Sequence, residues 1–267
     1  MSSPAEQTDT ADLFTSARWY DRSVNWAARL DREIPFLREV FGRPGTGGLL
    51  DAGCGTGRQA VALAQAGYQV TGADASDEML ELAGAHAVEA DAAVSFVRCR
   101  YGDLTQRFQS NFDGVYCLGN SLAAAGSAAV AREAIGAFAD VLRPGGVLFL
   151  QVLNFPAMRR RSPAIMGPRA VTVDGQEYVS VRVFQFVPDP ETGPAGRAVV
   201  TNVTLFNDGR WRERSASADL YPMEPDELQG WCRAAGLEVA ATYGGYDRSA
   251  LDLEDSSDLL LVARKPK

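Results

Sequence analysis

The sequence predicts an α/β protein: a doubly wound, mostly parallel sheet with a small antiparallel sheet inserted late in the chain. Three observations carry the prediction. From Gly47 onward, short apolar runs alternate with amphipathic segments, which is how strands buried on both faces and the helices covering them read in sequence. The first apolar run passes straight into the glycine loop Gly53-Cys54-Gly55-Thr56-Gly57 and then into a helical pattern. Between residues 157 and 220 the helical rhythm disappears. There Asp174-Gly175 and Asn207-Asp208-Gly209 stand between runs rich in Val, Phe and Tyr, which are hairpin signals.

Residues 1–12 are polar and acidic and read as a frayed tail. Leu13, Phe14, Trp19, Tyr20, Trp26, Leu30, Ile34 and Leu37 then recur at roughly helical spacing up to the Gly/Pro break at 42–48. Residues 1–45 are therefore expected to form a helical cap. Strands are expected over 48–52, 69–73, 94–98, 113–118, 147–153, 237–243 and 257–264, seven in all. The first helix between them covers 58–66 and ends at Gly67, and the second covers 77–90 with Ser76 as N-cap. A third covers 128–142, stopped by Arg143-Pro144-Gly145, and a fourth covers 225–235, opened by Pro225 and closed by Gly236. Residues 46–156 and 221–267 make up the core, and 157–220 the insert, where no helix is expected.

Composition narrows the function classes. The chain has 267 residues, 46% apolar and 22% charged, enough for a substantial core. Its formal charge of −8 is the opposite of the basic footprint that phosphate backbones select, so nucleic acid is not an expected partner. Apolar stretches such as 146–150 and 259–263 are far shorter than a membrane span, and the first twelve residues contain no Lys or Arg. A cytoplasmic monomer or homodimer without membrane attachment is the expectation. Cys54, Cys99, Cys117 and Cys232 are dispersed and His86 stands alone, so no metal site is expected.

The chemistry sits in Leu49-Leu50-Asp51-Ala52-Gly53-Cys54-Gly55-Thr56-Gly57, an apolar strand running into a glycine loop and a helix. Glycines let a backbone approach a ligand closely, so a nucleotide or nucleoside site is implied. The dinucleotide pattern G-x-G-x-x-G needs glycine at position 58, which is Arg58, and this disfavours a nicotinamide-dependent oxidoreductase. Asp51 points the same way, because a carboxylate before the loop repels a pyrophosphate and attracts an ammonium or sulfonium group.

Residues 51–57 resemble the D/E-x-G-x-G-x-G motif of class I S-adenosylmethionine-dependent methyltransferases. The likeness continues through Gln69 to Asp74, which resembles the family's second strand and its ribose-binding acid, and through Ser76-Asp77-Glu78-Met79-Leu80. Tyr101-Gly102-Asp103-Leu104 resembles the segment whose acid accepts from the adenine amino group. Phe112 to Ser121 is similar to the fourth strand and the loop beneath the methionine moiety, and Leu142-Arg143-Pro144-Gly145-Gly146 to the helix stop before the fifth. The resemblance implies a Rossmann-like, seven-stranded sheet whose last strand is antiparallel, S-adenosyl-L-methionine as cofactor and a small-molecule acceptor. Carried over residue by residue, it implies cofactor contacts from Asp51, Ala52, Gly53 and Gly55 in the loop and from Asp74 and Ala75 after the second strand. It further implies Asp103, Leu104, Leu118 and Asn120 after the third and fourth strands, and Tyr20 in an N-terminal segment folded over the cofactor.

Within the family, Cys117-Leu118-Gly119-Asn120-Ser121, the insert and Tyr221-Pro222 are similar to the glycine and sarcosine N-methyltransferases and to sugar N-methyltransferases. After Ser121 the chain departs from the glycine enzymes, with Ala123 to Ala125 and no nearby histidine, so acceptor identity does not carry over. Asn154 and Tyr221 are the expected acceptor-side residues.

Each residue also has a purely structural reading. Asp74 stands seventeen residues after Gly57, close to the spacing at which the dinucleotide fold places its ribose carboxylate, yet a strand-end acid also caps helices. Asp103 doubles as a solvated loop acid, Tyr20 as core, and Asn120 and Asn154 as turn caps. Cys54 is read as a small loop filler, and His86 as remote from the strand ends. Arg159, Arg160 and Arg161 read as a solvated loop, with an anionic acceptor group as the alternative. A hydroxyl acceptor needs a positioned base, and the absence of a strand-end histidine favours nitrogen over oxygen. An O-methyltransferase and a noncatalytic cofactor-binding protein remain the alternatives.

Overall fold

The computed structural model describes residues 16–45, 47–109, 112–173, 175–189 and 193–267. Seven strands form the main sheet: β1 (Leu49–Ala52), β2 (Val70–Asp74), β3 (Val94–Arg98), β4 (Phe112–Cys117), β5 (Leu142–Leu153), β10 (Glu238–Tyr243) and β11 (Asp258–Arg264). Between β5 and β10 lie β6 (Ala164–Val173), β7 (Gln176–Asp189), β8 (Gly193–Asn207) and β9 (Trp211–Leu220) of a second sheet. The main sheet has the order β10-β11-β5-β4-β1-β2-β3. Its β3-β2-β1-β4-β5 portion is parallel, and β11 runs antiparallel to both β5 and β10. The expected doubly wound sheet with an antiparallel last strand is the observed one.

Burial explains why these segments became strands. All four residues of β1 are buried, as expected for a central parallel strand covered on both faces. Along β5, Leu148, Leu150 and Val152 face one core with Ile135, Phe138 and Leu228. Val147 and Phe149 face the other, with Phe36, Leu37, Leu63 and Tyr116. Helix 77–89 starts where predicted because Ser76 Oγ accepts from the Met79 N–H and Asp77 and Glu78 complement the helix dipole.

Two boundaries differ from the sequence reading. β5 begins at Leu142, directly after helix 128–141, because Leu142 already pairs with Phe112 and the Arg-Pro-Gly stop sits inside an irregular strand start. Residues Phe155–Arg160 form a short helix where none was expected within the insert, capped by Asn154 and carrying Pro156 in its first turn. The N-terminal cap consists of helices Ala17–Ser23 and Trp26–Phe41. Leu13, Phe14, the tail 1–12 and Asp174 lie outside the described residues.

The second sheet is fully antiparallel in the order β6-β7-β8-β9. Its first and last hairpins turn where Gly175 and Gly209 adopt positive φ, as the turn residues predicted. This sheet is not a detached ornament. Phe184, Ala198, Val200 and Leu220 are buried in the same apolar core as Leu148 and Phe155. At its other end Tyr178 stacks edge-on against Trp19 at 4.9 Å, with Phe206 behind it.

Candidate active site

The three loop glycines do different jobs. Gly53 and Cys54 both donate N–H to the Ala73 carbonyl, at 2.7 and 3.0 Å, tying the loop to the end of β2. Gly53 has φ +77°, and a Cβ there would collide with the Ser121 and Tyr101 hydroxyls, which bond each other at 2.7 Å. At Gly57 (φ +73°) a Cβ would lie 2.7 Å from Ala83 Cβ and 2.8 Å from Phe96 Cζ, so this glycine lets helices 58–65 and 77–89 pack closely on the sheet. Gly55 is different. Its φ is +53°, yet nothing lies nearer to a Cβ there than Met79 Sδ at 3.9 Å and Tyr20 Cε1 at 4.0 Å. The space over Gly55 is open and edged by the N-terminal helix.

Acids and one base surround that space. Asp74 Oδ2 accepts from the Gly55 N–H and its Oδ1 from the Ser76 N–H, both at 2.9 Å, which fixes the carboxylate at the strand end. Asp51 is 3% exposed, and its Oδ2 has no hydrogen-bond partner. Burial pushes its carboxyl well above the usual range; the neighbouring Tyr116 hydroxyl opposes the shift, Asp74 and Glu33 add to it, and Arg29 opposes it. Arg29 reaches over Gly119, bonded to Glu33 at 2.8 Å and to the Tyr20 hydroxyl at 3.4 Å, with its guanidinium over the Trp26 ring. Burial disfavours the guanidinium charge, but Glu33 outweighs it and holds Arg29 cationic.

The N-terminal helix is latched to the loop by Asp21, next to Tyr20. Its carboxylate accepts from Thr56 Oγ1 at 2.8 Å and from Arg58 at 3.0 and 2.6 Å. His86 lies behind the same loop, with Nδ1 2.8 Å from the Thr56 carbonyl and Nε2 3.3 Å from Asp21. The ring reaches back from helix 77–89 to bond the scaffold behind the loop.

Residues 49–146 match the family model described as a methyltransferase domain. Over 92% of its length, and 86% of the relative's, the chain is 34% identical to a glycine/sarcosine N-methyltransferase from Aphanothece halophytica. The chain belongs to the S-adenosylmethionine-dependent methyltransferases. A solved amino pentose methyltransferase from Micromonospora echinaspora, with S-adenosylmethionine bound, superposes with a TM-score of 0.70 at 23% identity, covering 99% of both chains. A ubiquinone biosynthesis O-methyltransferase from Xanthomonas campestris pv. campestris is 34% identical over 132 residues, 49% of this chain and 50% of that one.

This methyltransferase has the donor set that S-adenosylmethionine needs. A buried carboxylate oxygen without a partner suits a cationic group, a guanidinium suits a carboxylate, and the open space over Gly55 admits a ligand against the backbone. Of the other expected cofactor residues, Ala52 and Leu118 are buried at the ends of β1 and β4, Leu104 is buried, and Ala75 and Asp103 are exposed. Asn120, at φ +64°, accepts from the Leu153 N–H through Oδ1.

Two expectations on the acceptor side need correction. Asn154 is 1% exposed and fully engaged: it caps helix 155–160 and donates to the Asp252 and Ser256 carbonyls, so it holds scaffold and faces no acceptor. Tyr221 is buried, donates to Glu227 and stacks on Trp231, turned toward helix 225–234. Arg159, Arg160 and Arg161 pair with Glu224, Glu254 and Asp255 at the surface, which fits the solvated run expected of them rather than the alternative anion site. Cys54 is held protonated, its thiol raised by burial and by Asp51 and Asp74, in keeping with a filler rather than a nucleophile. Arg29 was missed; its signal was an Arg/Glu pair at i,i+4 inside an otherwise core-facing stretch of helix.

Proposed function

We propose that the protein methylates the amine nitrogen of a small molecule, in a chamber between the glycine loop and the inner face of the insert sheet. S-adenosylmethionine, when bound, supplies a methyl group on a sulfonium, which the acceptor lone pair displaces in line. In this reading Asp51 and Arg29 form a matched acid and base for the amino and carboxylate groups of the cofactor's methionine end. Asp74 takes the ribose hydroxyls, Gly55 admits the ligand against the backbone, and Gly53 seats the loop beneath Tyr101 and Ser121. Ala52, Ala75, Asp103, Leu104, Leu118 and Asn120 line the remainder, with Tyr20 as a cover.

The observation that carries nitrogen over oxygen is the state of the proton acceptors. The single histidine is committed to Thr56 and Asp21 behind the loop. Tyr101, whose hydroxyl stands over Gly53, has its pKa pushed well above the ordinary value by burial, with Cys117 adding to it and Ser121 opposing it, so it keeps its proton. A hydroxyl acceptor needs a base at that place, whereas a neutral amine needs only positioning, for which about 7–11 kcal/mol of barrier reduction is attainable. The chain's likeness to an N-methyltransferase over nearly its whole length supports the same reading. The remaining work of the protein is to exclude water, and in this reading the insert sheet does so; its anchoring on the core at Phe184 and on the N-terminal helix at Tyr178 supports this.

The test compares acceptors that differ only in the attacking atom, such as an aminosugar and its parent sugar, by release of S-adenosylhomocysteine. Turnover with the amine alone is expected; turnover with the alcohol at a comparable rate would refute the choice of nitrogen.

A further inference from the structure

On β7 the two-residue period puts Tyr178, Ser180, Arg182, Phe184 and Phe186 on one face. That face looks inward, because Tyr178 packs on Trp19 and Phe184 is 2% exposed in the main core. Its two ends are apolar anchors, and its middle is polar. Arg182 stands there with Asn202 opposite it in register on β8, next to the Ser180–Thr204 pair. Arg182 is half-buried, yet among the described residues neither its side chain nor that of Asn202 makes a hydrogen bond or ion pair. The titratable groups acting on it are Tyr20, Arg169 and Arg29, and no acid among the described residues pairs with it. Burial pulls its pKa down, opposed by Tyr20, with Arg169 and Arg29 adding to the depression. Arginine nonetheless stays charged in proteins. A guanidinium kept partly dehydrated among other cations and without a counter-charge is costly for the free protein. It makes sense as a receptor for an anion that arrives with a ligand.

Resting on the proposed amine reading, we infer that Arg182 is a specificity residue: it binds an anionic group, carboxylate or phosphate, carried by the acceptor at some distance from the nitrogen. The insert sheet would then select its acceptor as well as cover it. Arg29, beside Tyr20 and over Gly119, keeps its place on the cofactor side, so the two guanidiniums divide the anions between the two ligands.

The experiment uses the full chain, with Arg182→Gln and Arg182→Met as variants and Arg197→Gln, in an exposed ion pair with Asp219, as the control. Matched acceptors are glycine and glycinamide for a carboxylate, and glucosamine 6-phosphate and glucosamine for a phosphate. The expected result is at least a tenfold preference in kcat/KM for the anionic member of one pair. Both Arg182 variants should erase it, the control should retain it, and affinity for S-adenosylmethionine should stay unchanged in all. Which pair shows the preference identifies the anion. Arg182→Met should also melt at or above the parent temperature, since it removes a charge with no partner. A charge preference that is absent, or that survives in the variants, overturns the inference while leaving amine methylation intact. Weaker cofactor binding in the variants overturns it too, by assigning Arg182 to the cofactor. If no amine is methylated, the amine reading fails, and calorimetric titration of acetate and inorganic phosphate into the S-adenosylhomocysteine-loaded protein decides for Arg182. Binding of either anion that both variants lose supports the anion site, and absence of binding in the parent overturns it.

Discussion

Replacing Gly55 and Gly57 separately by alanine should split ligand binding from folding within one loop. Both residues have positive φ, which costs a residue with a Cβ about 1–2 kcal/mol. At Gly57 the added methyl also meets Ala83 and Phe96 inside 3 Å, an overpacking that adds about 1–3 kcal/mol. For a domain of this size each 1 kcal/mol lowers the melting temperature by about 2–4 °C. Gly57→Ala is therefore expected to melt well below Gly55→Ala, roughly twice as far from the parent. At Gly55 the methyl meets no protein atom closer than 3.9 Å and instead occupies the space over the loop. Calorimetry with S-adenosylmethionine should show at least tenfold weaker binding for Gly55→Ala, about 1.4 kcal/mol. Parent-level affinity in folded Gly55→Ala would refute the assignment of that space to the cofactor.

Asp21→Asn should loosen the N-terminal helix from the glycine loop. The carboxylate accepts charged bonds from Arg58, which is one-third exposed and rehydrates in part, so a loss of about 1.5–3 kcal/mol is expected in urea denaturation. Burial raises the Asp21 pKa, but the bonds from Arg58 and Thr56 outweigh it and hold the carboxyl below its ordinary value. Its contribution is thus present above the unfolded value and lost as pH falls through the lowered folded one. Asp21→Asn should accordingly flatten the stability loss below about pH 4, and an unchanged acid limb would argue against the latch. Phe184→Ala, at the shared core, should cost about 3–5 kcal/mol and leave a single unfolding transition; a second transition for the insert would show it to be an independent domain.

The fold was legible because parallel strands write themselves as short apolar runs, and because Gly67, Ser76, Pro225 and Gly236 mark helix ends by local chemistry. Helix 155–160 escaped because its cap, Asn154, sits within a strand-like run and its six residues are too few for a period. Asp51 and Asp74 were readable from their places at strand ends. Their states were not, since Asp51's missing partner and Asp74's bond to Gly55 depend on residues far away in sequence. Asn154 and Tyr221 misled for the same reason: a polar residue after a strand has no sequence mark showing whether the scaffold has already engaged it. Arg182 lies in an alternating strand pattern that gives its face, but only the anchoring of Tyr178 and Phe184 shows which face is inward.

The central claim is that methyl transfer goes to an amine nitrogen. Incubation of the protein with carbon-13 methyl-labelled S-adenosylmethionine and a panel of amines, aminosugars, amino acids and phenols, read by two-dimensional NMR, identifies the atom that receives the label. The account predicts a labelled N-methyl product, formed in step with S-adenosylhomocysteine. A labelled O-methyl product, or cofactor binding with no transfer to any amine, would contradict it.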